Sequence, residues 1–500
     1  MTNQIDILLE NVQPVCPVQG KLNSNAIGIS NGQIQRIGDG QDIRKAFSVR
    51  KSIDLAGGFL YPGFIDSHGH PYWHGLMLKE IHLNDCQNMQ EVARKLFQNA
   101  KPQSNGWLTG LGWNDALWPE NTKPGIEWLD HFFPAIPVLI KRVDFHAALA
   151  NTVALKKAGI YEAEKNKDIP GLLKENEIEK VENQIPELSW QEKADAIQRC
   201  AEDCFSHGIT SVADAAATTN ELELIEHLQE ITPLEIYPVA LVEPGRNATF
   251  PGKVKALKYF GDGALGSEGA KLQEPYQNKP GHTGSLVWND EELFESWKLA
   301  AKQNYQVWIH AIGDETFSRA VKLMNKLSSY PQNLRWRIEH CQITDSESRK
   351  LFGMTGAIPS MQPLQAVSDA GWAEKKIGKR VANSYCFRSL LRQSGKIALN
   401  SDFPIETPSV LQGFAAVTSG KTPKGLRCIP EGETLTPEEA LAGYTSWNAY
   451  AQFEENQKGQ LKEGFAADLT VIDSDLLKDE PNKVREGSVL ATFKSGRRVF

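Results

Sequence analysis

What this sequence lacks narrows the possibilities first. No apolar stretch reaches roughly 18 residues, the length a bilayer-spanning helix needs. Thr2-Asn3-Gln4-Ile5-Asp6 offers neither the basic start nor the apolar run of a signal peptide, so the expected compartment is the cytoplasm. Cysteine is sparse: positions 16, 86, 200, 204, 341, 386 and 428 are scattered and odd in number, which excludes a disulfide framework and leaves reduced thiols. Cys200 and Cys204 form an i,i+4 pair that could share a metal. They share one apolar stripe with Ile197, Ala201 and Phe205, between a capping box at Ser189 to Glu192 and a stop at Gly208, and this favours buried core. No Lys/Arg cluster stands out from a formal net charge of −8, so neither nucleic acid nor a membrane surface is an expected partner. A small-molecule substrate is expected, with a homodimer as the candidate assembly.

The chain has 500 residues, 41% hydrophobic and 23% charged, enough to bury a large core with no disordered or low-complexity signature. Its two ends are alike. Ile5 to Val12, Ala26 to Ser30 and Gln33 to Ile37 after the Asn31-Gly32 turn read as short strands, as do Leu469 to Ile472, Val489 to Phe493 and Arg498 to Phe500. Matching ends predict a β-sandwich domain built from residues 1–57 and 405–500, chiefly 459–500. Between them, eight strand-length apolar runs recur, mostly followed by helical patterns: Phe59 to Ile65, Ile209 to Asp214, Ile236 to Leu241, Val254 to Phe260, Gln306 to Ile309, Arg335 to Glu339, Ala357 to Met361 and Ile397 to Asn400. Eight βα units predict a closed (β/α)8 barrel over residues 58–404. The interval after the first run is far longer than one crossover helix needs, which predicts an inserted α/β subdomain over about residues 75–200. That stretch carries Trp107, Trp113, Trp118, Trp128 and Trp190, a composition that suits a lid or substrate wall.

Catalytic residues of such barrels sit at the C-terminal ends of the strands. His68-Gly69-His70 follows the first run, and in extended backbone two residues at i and i+2 point the same way, so both imidazoles could reach one cation. Alone, this pair is as readily structural. His310 and His340 each end another run, and four of eleven histidines at equivalent strand ends are hard to explain without a metal. Asp402 closes the eighth run, where a carboxylate could ligate metal and take a proton from water as well as cap a helix. Lys258 lies inside the fourth run, where burying an ammonium costs several kcal/mol unless it is paired or neutralised. A carbamate formed with CO2 would turn it into an anionic ligand bridging two metals; a surface or ion-paired lysine is the plainer alternative. Gly261-Asp262-Gly263-Ala264-Leu265-Gly266 matches G-x-G-x-x-G, but Gly269, Pro275, Pro280 and Gly281 break the helix a dinucleotide site requires, so an active-site loop is expected instead.

With these residues in view, the chain resembles the amidohydrolase superfamily, and within it the YtcJ-like, amidohydrolase family 3 branch that also contains N-substituted formamide deformylase. The resemblance rests on Leu60-Tyr61-Pro62-Gly63-Phe64-Ile65-Asp66-Ser67-His68-Gly69-His70, on Lys258 to Ser267, on His310-Ala311-Ile312-Gly313-Asp314, on Arg337-Ile338-Glu339-His340-Cys341-Gln342 and on Ser401-Asp402-Phe403-Pro404. It extends to Gly459, Gly464 and Ala467-Asp468-Leu469, so it spans nearly the whole chain. The resemblance implies that His68 and His70 bind one metal, His310 and His340 a second, carboxylated Lys258 bridges them, and Asp402 is both ligand and general base. It also implies substrate contacts from Trp113, Asn114, Asp144, His146 and Glu175. Two departures bear on substrate choice without touching the ligands: Gln365, an expected substrate contact, where many relatives have His, and Phe145 where a Gly is usual.

The expected activity is hydrolysis of a non-peptide C–N bond in an N-acyl or N-formyl small molecule. One or two divalent ions, zinc by the imidazole and carboxylate ligands, would lower the pKa of water to about 7. Two other classes compete: a metal-dependent isomerase or decarboxylase using the same site, and a metal-free barrel scaffold, which the complete ligand set disfavours.

Overall fold

The computed structural model describes residues 4–99, 106–115, 118–119, 124–143, 147–165, 167–174, 176–228, 232–245, 254–327 and 332–500. Its contacts divide into two compact units, Gly75–Ala196 and the remainder, Met1–His74 with Ile197–Phe500. Among the described residues no helix is long and apolar enough to cross a membrane.

Eight parallel strands form the central sheet of the larger unit: Phe64–Gly69, Ile209–Ala217, Glu235–Leu241, Ala256–Phe260, Gln306–Ala311, Arg337–His340, Ile358–Met361 and Ala398–Leu399. They lie in sequence order, each paired with the next. Continuous burial along most of them is what a parallel sheet covered on both faces requires. Side chains close the seam between the first and eighth strands. Asn448, fully buried, donates through Nδ2 to Ile65 O and Leu399 O, both at 2.7 Å. Asp66 accepts from the Ser401 hydroxyl at 2.6 Å and from the Ser401 amide at 3.1 Å. The backbone amides of Asp402 and His70 then donate across the seam, to His68 O at 2.9 Å and Phe403 O at 2.8 Å. The eight-stranded sheet is a nearly closed TIM-type barrel whose seam ends at His68, His70 and Asp402. Tyr237, Ala256 and Trp308 fill the lumen beneath, with Tyr237 and Trp308 stacked at 6.2 Å.

The first run divides where one strand was expected. Phe59–Pro62 joins a six-stranded sheet with Gln13–Cys16, Gly20–Lys21, Leu469–Ile472, Val489–Lys494 and Arg497–Arg498, and only Phe64–Gly69 enters the barrel. Gly63 is the crossing point: a Cβ there would sit 2.4 Å from the Thr210 hydroxyl oxygen and 2.6 Å from its methyl. Gly63→Val should therefore cost about 1–3 kcal/mol through overpacking, read as a lower urea unfolding midpoint. A second, four-stranded sheet pairs Gln33–Gly38, Ala26–Ser30, Gln4–Glu10 and Ser48–Asp54. Apolar residues of both sheets, among them Leu9, Ile27, Leu469 and Phe493, share one cluster, so the two chain ends build a common core. Residues 405–458, assigned to the β domain in the sequence reading, carry helices instead: Val410–Ser419, Pro437–Gly443 and Ser446–Ala451.

The smaller unit is a five-stranded sheet with helices, and Trp107, Trp113 and Trp118 are buried in its core. Cys200 and Cys204 are fully buried on the helix Trp190–Ser206, as their apolar stripe requires.

Candidate metal centre

His68, His70 and Asp402 each offer a ligand atom, and these atoms lie within 4.8 Å of one another. Asp402 Oδ1 is 3.4 Å from His68 Nε2 and 3.3 Å from His70 Nε2. Strand alternation brings the two imidazoles to one side, as their i,i+2 spacing predicts. Three more residues from the sequence reading surround this cluster. Lys258, almost fully buried, places Nζ 3.2 Å from His68 Nε2. The His340 ring centroid is 5.2 Å from that of His68, and His310 lies 4.4 Å beyond His340.

His340 reaches the lumen by an unusual backbone. Its neighbour Glu339 already faces inward, so regular alternation would turn His340 away. Positive φ at His340 (71°), and again at Cys341 (44°), reverses that direction, and Asp402 is held at φ 60°. Left-handed conformations cost non-glycine residues of order 1–3 kcal/mol, and here they fall on two of the convergent side chains.

The electrostatics favour ligands over bases. Burial and the neighbouring Lys258 ammonium hold His68 well below the usual histidine range and His310 down at about 3; burial and the nearby His310 do the same to His340. Neutral imidazole is the metal-binding form. Both ring nitrogens of His310 are buried without a hydrogen-bond partner among the described residues. A bound cation would satisfy such an atom, so the residues present fit a divalent ion.

Sequence reasoning missed the residues that orient these candidate ligands. His68 Nδ1–H donates to Glu339 at 2.5 Å, which leaves Nε2, 3.2 Å from Lys258 Nζ, as the unprotonated nitrogen that a metal could use. Glu339 is held in turn by the Arg337 guanidinium, through Nε to Oε1 at 2.8 Å and Nη2 to Oε2 at 2.9 Å, with both residues fully buried. Arg337 stacks on Trp308, 3.5 Å above the ring. His340 Nδ1–H donates to Gln362 Oε1 at 2.9 Å, and Gln362 donates to Asn400 at 2.7 Å. A charged pair at i,i+2 inside an apolar strand was the available signal for Arg337 and Glu339. Carboxylates behind ligating histidines tune metal affinity by about 10–100-fold, so Glu339→Gln should weaken metal binding by that factor in a chelator competition titration.

Asp262 accounts for the glycine-rich segment. Its carboxylate accepts from the amides of Ile312 (3.1 Å) and Gly313 (2.9 Å) and from the Thr316 hydroxyl (2.8 Å) at the start of the helix Asp314–Lys326. It thereby occupies the donors a phosphate would need.

The chain's family is settled by comparison with known proteins. The model of the amidohydrolase family, Amidohydro_3, matches residues 51–500. The chain belongs to the amidohydrolase family. It is 27% identical to YtcJ of Bacillus subtilis strain 168 over 95% of this chain and 96% of that protein. It is 23% identical to an N-substituted formamide deformylase of Arthrobacter pascens, covering 99% and 98% of the two chains. An uncharacterised metal-dependent hydrolase of Pyrococcus horikoshii superposes with a TM-score of 0.80 at 24% identity, over 95% of this chain and 99% of that one. These relationships place this amidohydrolase in the YtcJ-like, family 3 branch and make it a hydrolase.

The expected substrate residues fare unevenly. Trp113 is 1% exposed in the core of the inserted unit, where its indole N–H donates to Ile140 O at 3.2 Å. Trp118 packs beside it, with ring centroids 5.9 Å apart. Gln365 lies on the helix after the seventh barrel strand, its Oε1 buried and without a hydrogen bond among the described residues. Asp144, Phe145, His146 and Glu175 lie outside the described residues.

Proposed function

We propose that this amidohydrolase cleaves the C–N bond of a small N-acyl or N-formyl compound, with Asp402 carrying the proton. The observation behind this reading is the convergence of Asp402 with His68 and His70 at the barrel seam. Zinc suits an imidazole and carboxylate donor set, with His68, His70 and Asp402 holding a first ion and His310 and His340 a second. When bound, such an ion supplies Lewis acidity and an activated water at neutral pH.

The chain's own residues do the rest. Glu339 and Arg337 fix His68 in the tautomer that presents Nε2. Burial lowers Lys258 to about 8, and an uncharged amine there can add to CO2, lose a proton and become a carbamate beside His68. Asp402 accepts the proton of the attacking water and returns it to the departing nitrogen, so one carboxylate serves both halves of the reaction. The free Gln365 oxygen is suited to accept an N–H from the substrate amide. Substrate contacts from His146 and Glu175, a cytoplasmic location and a homodimer remain part of the proposal, while Trp113, buried in the core of the inserted unit, drops out of it. The name of the A. pascens relative supports the N-formyl option.

Product analysis in H2(18)O tests the reading. Metal-loaded enzyme offered a panel of N-formyl and N-acyl amines should release free amine and a carboxylate bearing one solvent oxygen. Isomerised or decarboxylated products without solvent oxygen would overturn it.

A further inference from the structure

A cavity of about 380 Å³ lies within the larger unit, between the helices Pro363–Asp369 and Ala373–Ile377, the turn Gly378–Asn383 and the loop 426–431. That volume is of the order that small-molecule sites occupy. Its walls are small and apolar, including Ala366, Ala373, Val381 and Ile429. One buried charge faces it. Asp369, only 6% exposed, accepts at Oδ2 from Gln342 Nε2 at 2.6 Å and from the Tyr385 hydroxyl at 2.5 Å. Both bonds fall on that one oxygen. Among the described residues Oδ1 has no hydrogen-bond partner, and Asp369 lines the cavity. The rim adds Glu374 and Glu431 against Arg427, so the lining is acidic in balance.

We propose that this cavity binds a small organic ammonium ion, a primary or secondary amine on a compact apolar body, with its charge at Asp369. An anion would meet a net negative lining, and a neutral ligand would cover the carboxylate oxygen without supplying a counter-charge. A bare metal ion would find no three convergent His, Cys, Asp or Glu ligands there among the described residues. Burial pushes Asp369 up to about 6, which leaves it ionised in neutral solution. Gln342, which holds Asp369, stands two residues after His340, so the site adjoins the segment that carries a metal-centre histidine. The choice of an amine as occupant rests on the proposed C–N cleavage, in which each turnover releases one.

The test is calorimetric titration of the full-length, metal-loaded protein with benzylammonium chloride and, separately, with benzyl alcohol, its neutral counterpart. Wild type should bind the ammonium at least about tenfold more tightly than the alcohol. Asp369→Asn, which keeps an acceptor for Tyr385 but removes the charge, should erase that difference. Ala370→Phe, which fills the cavity and leaves Asp369 in place, should weaken both ligands and decides the matter if the first variant fails to fold. Asp402→Asn should leave both affinities unchanged, which locates binding away from the metal centre. Equal affinities in wild type, a preference that survives Asp369→Asn, undiminished affinities in Ala370→Phe, or loss of the preference in Asp402→Asn would overturn the proposal. Titration needs no turnover, so this outcome is independent of the product analysis above.

Discussion

Asp402→Asn should lower kcat by about 10²–10⁴-fold, the contribution typical of a positioned general acid–base. The amide keeps the size of the carboxylate and leaves intact the backbone bond from the Asp402 amide to His68 O, 2.9 Å long, that closes the barrel seam. It removes the proton acceptor that stands within 3.4 Å of both first-strand histidines. Steady-state kinetics on metal-loaded wild type and variant, with unfolding midpoints measured in parallel, would check this. Turnover within a few-fold of wild type would reject the assigned role.

Arg337→Met should be the most destabilising single change in the barrel, at about 3–5 kcal/mol, because it leaves the Glu339 carboxylate buried without its counter-charge. Methionine fills much of the space of the arginine stem over Trp308 but offers nothing to Glu339, Ser360 or the Ser67 carbonyl, all of which Arg337 now contacts. The double variant Arg337→Met, Glu339→Leu should recover part of the loss, since replacing both members of a buried pair is often nearly neutral. It should bind metal poorly all the same, because His68 loses the carboxylate that orients it. Urea unfolding of the two variants checks both statements; a single variant within about 1 kcal/mol of wild type would contradict them.

The barrel was legible because parallel strands covered on both faces leave long apolar runs, and eight such runs leave little choice of topology. The first was misjudged. Phe59 to Ile65 carries a Pro62-Gly63 break that marks where the run divides, and the close approach of Thr210 to Gly63 shows why the two halves serve different sheets. The shared direction of His68 and His70 was legible from their i,i+2 spacing, but their reading as candidate ligands needed His310 and His340 at other strand ends. The inward turn of His340 was not legible, since alternation after Glu339 predicts the opposite direction and backbone strain reverses it. The roles of Gln362, Asn400 and Asp262 come from hydrogen bonds between separate strands and loops, which no local pattern records. The tryptophan-rich insertion was read for substrate contact, yet Trp107, Trp113 and Trp118 pack its core, as large apolar rings usually do.

The central claim is that His68, His70 and Asp402, with His310 and His340 beside them, converge to hold a divalent cation. Metal content per chain, measured by plasma mass spectrometry after exposure to zinc and gel filtration, addresses it most directly. Wild type should retain one or two equivalents and the His68→Ala, His70→Ala double variant markedly less. A wild-type protein that emerges metal-free, or a double variant that keeps as much metal as wild type, would contradict the account.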